Sequence, residues 1–139
     1  MSNPCFTWQD LPFLRQHTKL PILLQGILRP DDARRAVEHG MDRVIVSNHG
    51  GRQLDGAVAA LDVLPSIVEA SAGRIPVLFD SGIRRGADVF RALALGARAA
   101  LLGRRYCFGF AVNGESSVRD VIQNLIADLD LALGLAGCA

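Results

Sequence analysis

The chain has 139 residues, 50% of them hydrophobic and 21% charged, a composition that suits one globular domain with a core of its own. Its 15 Lys and Arg against 14 Asp and Glu exclude the strong charge bias that would point to nucleic acid or an anionic membrane as partner. No stretch reaches the roughly 18 uninterrupted apolar residues of a membrane span, and the opening Met-Ser-Asn-Pro-Cys lacks the basic-then-apolar pattern of a secretion signal.

Taken in chain order, Thr7 is expected to cap a short helix carrying Trp8, Leu11 and Leu14. His17 falls in the turn that follows. A first buried strand is predicted over Pro21 to Leu24. The helix after it runs from Pro30 to His39, with Asp31 and Asp32 at its positive end and Gly40 as its stop. A second strand covers Val44 to Ser47. The second long helix covers Ala59 to Ser71, with Leu61, Leu64 and Val68 on one face and Pro65 in the first turn. The third strand is Pro76 to Asp80, followed by a helix from Ala87 to Leu95 closed by Gly96. The fourth strand is Ala99 to Gly103. Tyr106 then sits in a loop, and a final helix runs from Ser116 to Leu135 with Val118, Val121, Ile122, Leu125 and Leu129 at helical spacing.

The four apolar runs are too short for helices and too evenly apolar for half-exposed strands, which is how a strand buried on both faces reads. Strands alternating with helices imply an α/β fold with a parallel sheet and right-handed crossovers. Strand starts about 20 to 30 residues apart match one βα unit. Four units make half of an eight-fold barrel or a small open sheet, here a single domain over residues 1–139. The outer strands of such a sheet present unpaired edges. A complementary half barrel or self-association is the expected way to cover them.

Cys5, Cys107 and Cys138 are scattered and form no C-x-x-C pair, so neither a disulfide framework nor a metal site is predicted. Reduced thiols in a cytoplasmic protein are the expectation. His39, Trp8 and the Arg34-Arg35 pair are read as structural or surface residues.

Polar residues and glycines gather at the C-terminal ends of the strands, where parallel βα folds carry their chemistry. The second strand ends in Ser47-Asn48-His49-Gly50-Gly51-Arg52-Gln53. His49 can exchange protons near neutral pH, and Arg52 offers a planar fork for a carboxylate. A base beside a carboxylate clamp suits a small acid with a labile α-proton. The third and fourth ends, Asp80-Ser81-Gly82-Ile83-Arg84-Arg85-Gly86 and Gly103-Arg104-Arg105, read as a phosphate site. In that reading Gly82 and Gly86 expose N–H groups, the following helix directs its positive end at the loop, and Arg84 and Arg104 add charge.

These runs resemble the active-site signature and the FMN-phosphate segment of the FMN-dependent α-hydroxy acid dehydrogenases and oxidases. Ala92-Leu93-Ala94-Leu95-Gly96-Ala97 and the Leu20 to Gly40 stretch are similar as well. The resemblance implies the last four βα units of a (β/α)8 TIM barrel and FMN as cofactor. It further implies oxidation of a small 2-hydroxy acid, lactate- or glycolate-like, to the 2-oxo acid. By the same resemblance His49 would be the base and would contact substrate, and Arg52 would bind the substrate carboxylate. Gln25 and Ser47 would contact the flavin. Asp80, Ser81, Gly82 and Arg84 would hold the ribityl phosphate region, and Gly103 with Arg104 the phosphate. The alternative is an inactive or partner-dependent module that binds FMN phosphate weakly without turnover.

Gln25 stands where the family carries a lysine whose charge stabilises the anionic reduced flavin. Glutamine keeps a donor but loses the charge, a deficit of about 1–3 kcal/mol. Gln25→Lys is therefore expected to raise the potential of the bound flavin in a spectroelectrochemical titration. A potential that does not move contradicts this reading of Gln25.

Overall fold

A computed structural model describes residues 5–138. A single 3-10 turn, Trp8–Asp10, runs into α1 (Leu11–His17). There follow β1 (Leu23–Gln25), α2 (Pro30–Glu38), β2 (Arg43–Val46), a second 3-10 turn (His49–Gly51) and α3 (Ala60–Ser71). The chain closes with β3 (Val77–Phe79), α4 (Gly86–Ala94), β4 (Ala99–Ala100) and α5 (Arg104–Leu135). The four strands lie in the order β1-β2-β3-β4 and every neighbouring pair is parallel.

Register and the two-residue period of a strand assign the sheet two different faces. Leu24, Val44, Val46, Val77, Phe79 and Ala100 share one face and join the core beneath the helices with Ala33, Ala36, Leu64, Ile67 and Ala92. Gln25, Ile45, Leu78 and Ala99 lie in register on the other face, beside Leu23 and Arg43. Leu23 is 37% exposed, so this second face is only partly covered. α2 packs on α3, and α4 on α5. The α4–α5 contact is close: a Cβ on buried Gly86 would lie 2.0 Å from the Leu129 backbone nitrogen.

Several boundaries differ from the sequence expectation. β1 extends to Gln25, which therefore ends the strand rather than following it. β4 is cut to Ala99–Ala100 because Gly103 already caps the next helix. That helix starts at Arg104, not Ser116, and breaks at Asn113 and Gly114. Its first part carries Tyr106, Phe108, Phe110 and Val112, all exposed, with no apolar stripe on one side for periodicity to find. Tyr106 accordingly lies in a helix and not in a loop. Pro65 falls inside α3 rather than in its first turn, where its missing N–H frees a carbonyl one turn back. His17 ends α1, its Nδ1 2.8 Å from the Phe13 carbonyl oxygen. Trp8 stacks on His39, ring centroids 5.7 Å apart, and Arg34 pairs with Asp31 one turn away.

One carboxylate ties the first helix to the sheet. Asp42 Oδ2 accepts from the Ile22 N–H at 2.6 Å and from Arg15 Nη2 at 2.6 Å, and Arg15 also donates to the Gly40 carbonyl. The Ile22 N–H and then the Arg15 guanidinium hold the Asp42 carboxyl below its usual range. A carboxyl whose pKa is depressed on folding stabilises the fold above its unfolded value, here near 3.8, and loses that contribution as pH falls towards the folded value. Asp42→Asn should lower the urea midpoint at pH 7, and its deficit against the parent should shrink as pH drops from 5 to 3. A deficit that stays constant across that range would show that the ionised form is not what matters.

Candidate active site

β2 ends in an unusual turn. His49, Gly50 and Gly51 have φ of 55°, 67° and 75°, three left-handed residues in a row. For a non-glycine residue that conformation costs on the order of 1–2 kcal/mol, so His49 needs help to stay there. Ser47, fully buried, supplies an Oγ that accepts from the His49 N–H at 3.0 Å. Asn48 Oδ1 accepts from the Gly50 N–H at 3.0 Å, and Asn48 Nδ2 donates to the Val58 carbonyl at 3.2 Å, anchoring the returning loop. Asn48, directly before the histidine, is the residue that sequence reasoning passed over. Its local side-chain to backbone bond is a recognisable turn signal.

The turn places the His49 ring over the end of β1. A Cβ on Gly26 would lie 3.0 Å from His49 Nε2, and Gly26 itself has φ of 90°. From the end of β3, Ser81 Oγ accepts from the Gly50 N–H at 3.2 Å and the Asn48 N–H at 3.3 Å, and donates to Asp80 Oδ1 at 2.7 Å. The other Asp80 oxygen accepts from Gln25 Nε2 at 2.6 Å. Arg104, at the first position of α5, reaches back and donates to the Gly50 carbonyl. Gln25, Ser47, His49, Asp80, Ser81 and Arg104 thus form one connected group spanning the ends of β1, β2 and β3 and the start of α5.

The remaining predicted residues stand apart from that group. Arg52 is exposed and makes no ion pair among the described residues. Gly82 and Gly103 are exposed, with open space where a Cβ would be. Arg84 is exposed and lines a shallow cavity of about 310 Å³ with Arg85, Arg105, Asn124, Leu125 and Asp128. The expectation that Gly86 exposes its N–H is not met. Asp128 Oδ2 accepts it at 2.7 Å, while Asp88 Oδ2 accepts from the Arg84 and Arg85 N–H groups, each at 3.0 Å. Carboxylates of the protein itself satisfy these donors: Asp88 from the first turn of α4, and Asp128 because α5 crosses the start of α4.

The sequence matches the FMN-dependent dehydrogenase family along residues 1–139. The chain belongs to that family. It is 54% identical over 137 residues to an L-lactate oxidase from Nostoc sp., covering 99% of this chain and 38% of the relative. It is 52% identical to 2-hydroxyacid oxidase 1 of Homo sapiens, covering 98% of this chain and 37% of the relative. A mandelate oxidase solved with (S)-2-phenylpropionate superposes with a TM-score of 0.93 at 49% identity, over 96% of this chain and 40% of that one. The four-stranded α/β sheet is therefore part of a TIM-barrel fold, and the chain spans about two fifths of the length of the relatives it matches.

In this member of the family, the closeness of Gly26 to the His49 ring makes position 26 sensitive. Gly26→Ala should push the ring off the β1 end, with φ of 90° adding strain. The added methyl and the strained φ should together lower the urea midpoint of Gly26→Ala and shift the His49 ring resonances; a parental midpoint with unmoved ring resonances would contradict the placement of His49.

Proposed function

We propose that this chain carries the working rim of an FMN-dependent oxidation of a small 2-hydroxy acid, lactate- or glycolate-like, to the 2-oxo acid. The observation that carries the proposal is the connected group at the strand ends. A titratable histidine is fixed by its backbone at the edge where parallel βα folds react substrates, and Arg52 and Arg84, exposed and in no ion pair among the described residues, lie in the loops that follow β2 and β3. The relatives' names supply the reaction class: L-lactate oxidase, 2-hydroxyacid oxidase and mandelate oxidase.

The residues present fit FMN. Its phosphate needs cations and closely approachable backbone, which Arg84, Arg104, Gly82 and Gly103 offer. Asp80, Ser81, Gln25 and Ser47 complete the proposed flavin-facing set. Bound FMN supplies a two-electron acceptor, to be reoxidised by oxygen or another acceptor. Arg52 clamps the substrate carboxylate in two-point fashion and so fixes the α-carbon relative to the rim. The substrate loses two electrons and two protons on the way to the 2-oxo acid, and His49 takes one of those protons. The left-handed turn keeps the imidazole from swinging away, because its own peptide is held on both sides.

A second reading has a specific observation in its favour. Among the described residues no carboxylate contacts the His49 ring to fix its tautomer. A complementary half barrel or a second copy would then be needed to complete the site. Without it the chain would be a module that binds the phosphate end of FMN without turnover. The scattered cysteines favour a cytoplasmic setting, although a plant relative at 53% identity is named as peroxisomal.

The experiment is anaerobic reduction. The FMN-loaded protein should bleach on addition of lactate, glycolate or mandelate, and His49→Ala should slow bleaching by about 10²- to 10⁴-fold, the usual contribution of a general base. Bleaching unchanged in His49→Ala contradicts the assigned base. FMN binding with no bleaching in the parent selects the module.

A further inference from the structure

Ser81 has φ of 81°, a backbone conformation in which a glycine would be free of strain. A serine held there signals that its side chain is needed. A hydroxyl has one hydrogen to give and two lone pairs to receive with, and the Ser81 oxygen is in reach of four partners: Asp80, Asn48, Gly50 and, at 3.4 Å, the Ser47 hydroxyl. Its hydrogen goes to Asp80 Oδ1 at 2.7 Å, and its oxygen receives the N–H groups of Asn48 at 3.3 Å and Gly50 at 3.2 Å. Those two N–H groups flank His49. Asp80 is turned towards Ser81 because its other oxygen is taken by Gln25 at 2.6 Å. With its hydrogen drawn off by the carboxylate, the Ser81 oxygen has only lone pairs to offer the turn.

We propose that Ser81 is a positioning residue for His49. It pins the N–H groups of the residues before and after the histidine from the neighbouring strand, and the Gln25–Asp80 pair sets the direction of its hydroxyl. The inference rests on the proposed role of His49 in 2-hydroxy acid oxidation, and it adds a function for Ser81 other than flavin contact. The pin acts on the backbone, and the imidazole lies over Gly26 with no side-chain hydrogen-bond partner among the described residues.

Ser81→Gly removes the hydroxyl at a position where glycine relaxes the backbone, which offsets part of the cost of leaving the Asn48 amide unpaired, so the variant should still fold. Two readouts test the tie. In the flavin-free protein, the Asn48 amide has Ser81 Oγ as its one acceptor among the described residues. Its hydrogen exchange should quicken tenfold or more in Ser81→Gly. The Gly50 amide, still held by Asn48 Oδ1, should change less. In the flavin-saturated protein, kcat should fall about 10- to 100-fold with KM within twofold, the pattern of a misaimed base rather than lost binding. Ser81→Ala lacks the hydroxyl but keeps the strain, and should show the same exchange with lower stability. Unchanged Asn48 exchange, or parental kcat in Ser81→Gly, overturns the proposal. A parent that turns over no 2-hydroxy acid overturns the functional reading instead, and the exchange measurement still decides the tie.

Discussion

A left-handed turn at the end of β2 requires more hydrogen-bond acceptors than a strand end provides. Its successive N–H groups point away from the sheet's own ladder, and a buried unpaired amide costs on the order of 1–3 kcal/mol. Four groups meet the demand. Ser47 Oγ receives His49, Asn48 Oδ1 and Ser81 Oγ share Gly50, and the Asn48 carbonyl receives Gly51 at 3.0 Å. Among the described residues no buried side-chain polar atom lacks a partner. His49 is thus fixed through its backbone rather than through its ring.

The sheet is arranged to make that possible. Its strands are only two to four residues long, so each ends close to the same level and delivers its loop to one rim. One face is closed by α2, α3 and α4 over Val44, Val46, Val77 and Phe79, with α5 packed on α4. The rim then joins neighbours that are far apart in sequence: Gln25 with Asp80, and Gly50 with Arg104. At the start of α4 the packing constraint overrides the electrostatic one. Gly86 exists so that α5 can cross at Leu129, and Asp128 from the same crossing takes the N–H that a free helix start would have offered to an anion. Positive charge for a phosphate is left to the exposed arginines.

Much of this was legible in the sequence. Four short apolar runs separated by capped amphipathic segments imply a parallel α/β sheet, and the order β1-β2-β3-β4 follows from right-handed βα units. His49, Gly50 and Gly51 stood out because two glycines beside a histidine at a strand end have few structural uses. What stayed hidden depends on contacts between strands. Nothing local in Asp80-Ser81 says that its hydroxyl serves the His49 turn, or that Gln25 turns the Asp80 carboxylate. The start of α5 was missed because Tyr106, Phe108, Phe110 and Val112 are apolar without a polar counter-face. Asp128 was unremarkable until the helix crossing brought it to Gly86.

The claim on which the rest stands is that histidine and arginine meet one small acid at the C-terminal rim of this sheet. A crystal structure of the FMN complex with a non-reacting 2-hydroxy acid analogue measures that directly. The account predicts the analogue's carboxylate on the Arg52 guanidinium and its hydroxyl within hydrogen-bond distance of the His49 ring, with the phosphate near Gly103. An analogue bound at the opposite rim, or with Arg52 and His49 pointing apart, would contradict it.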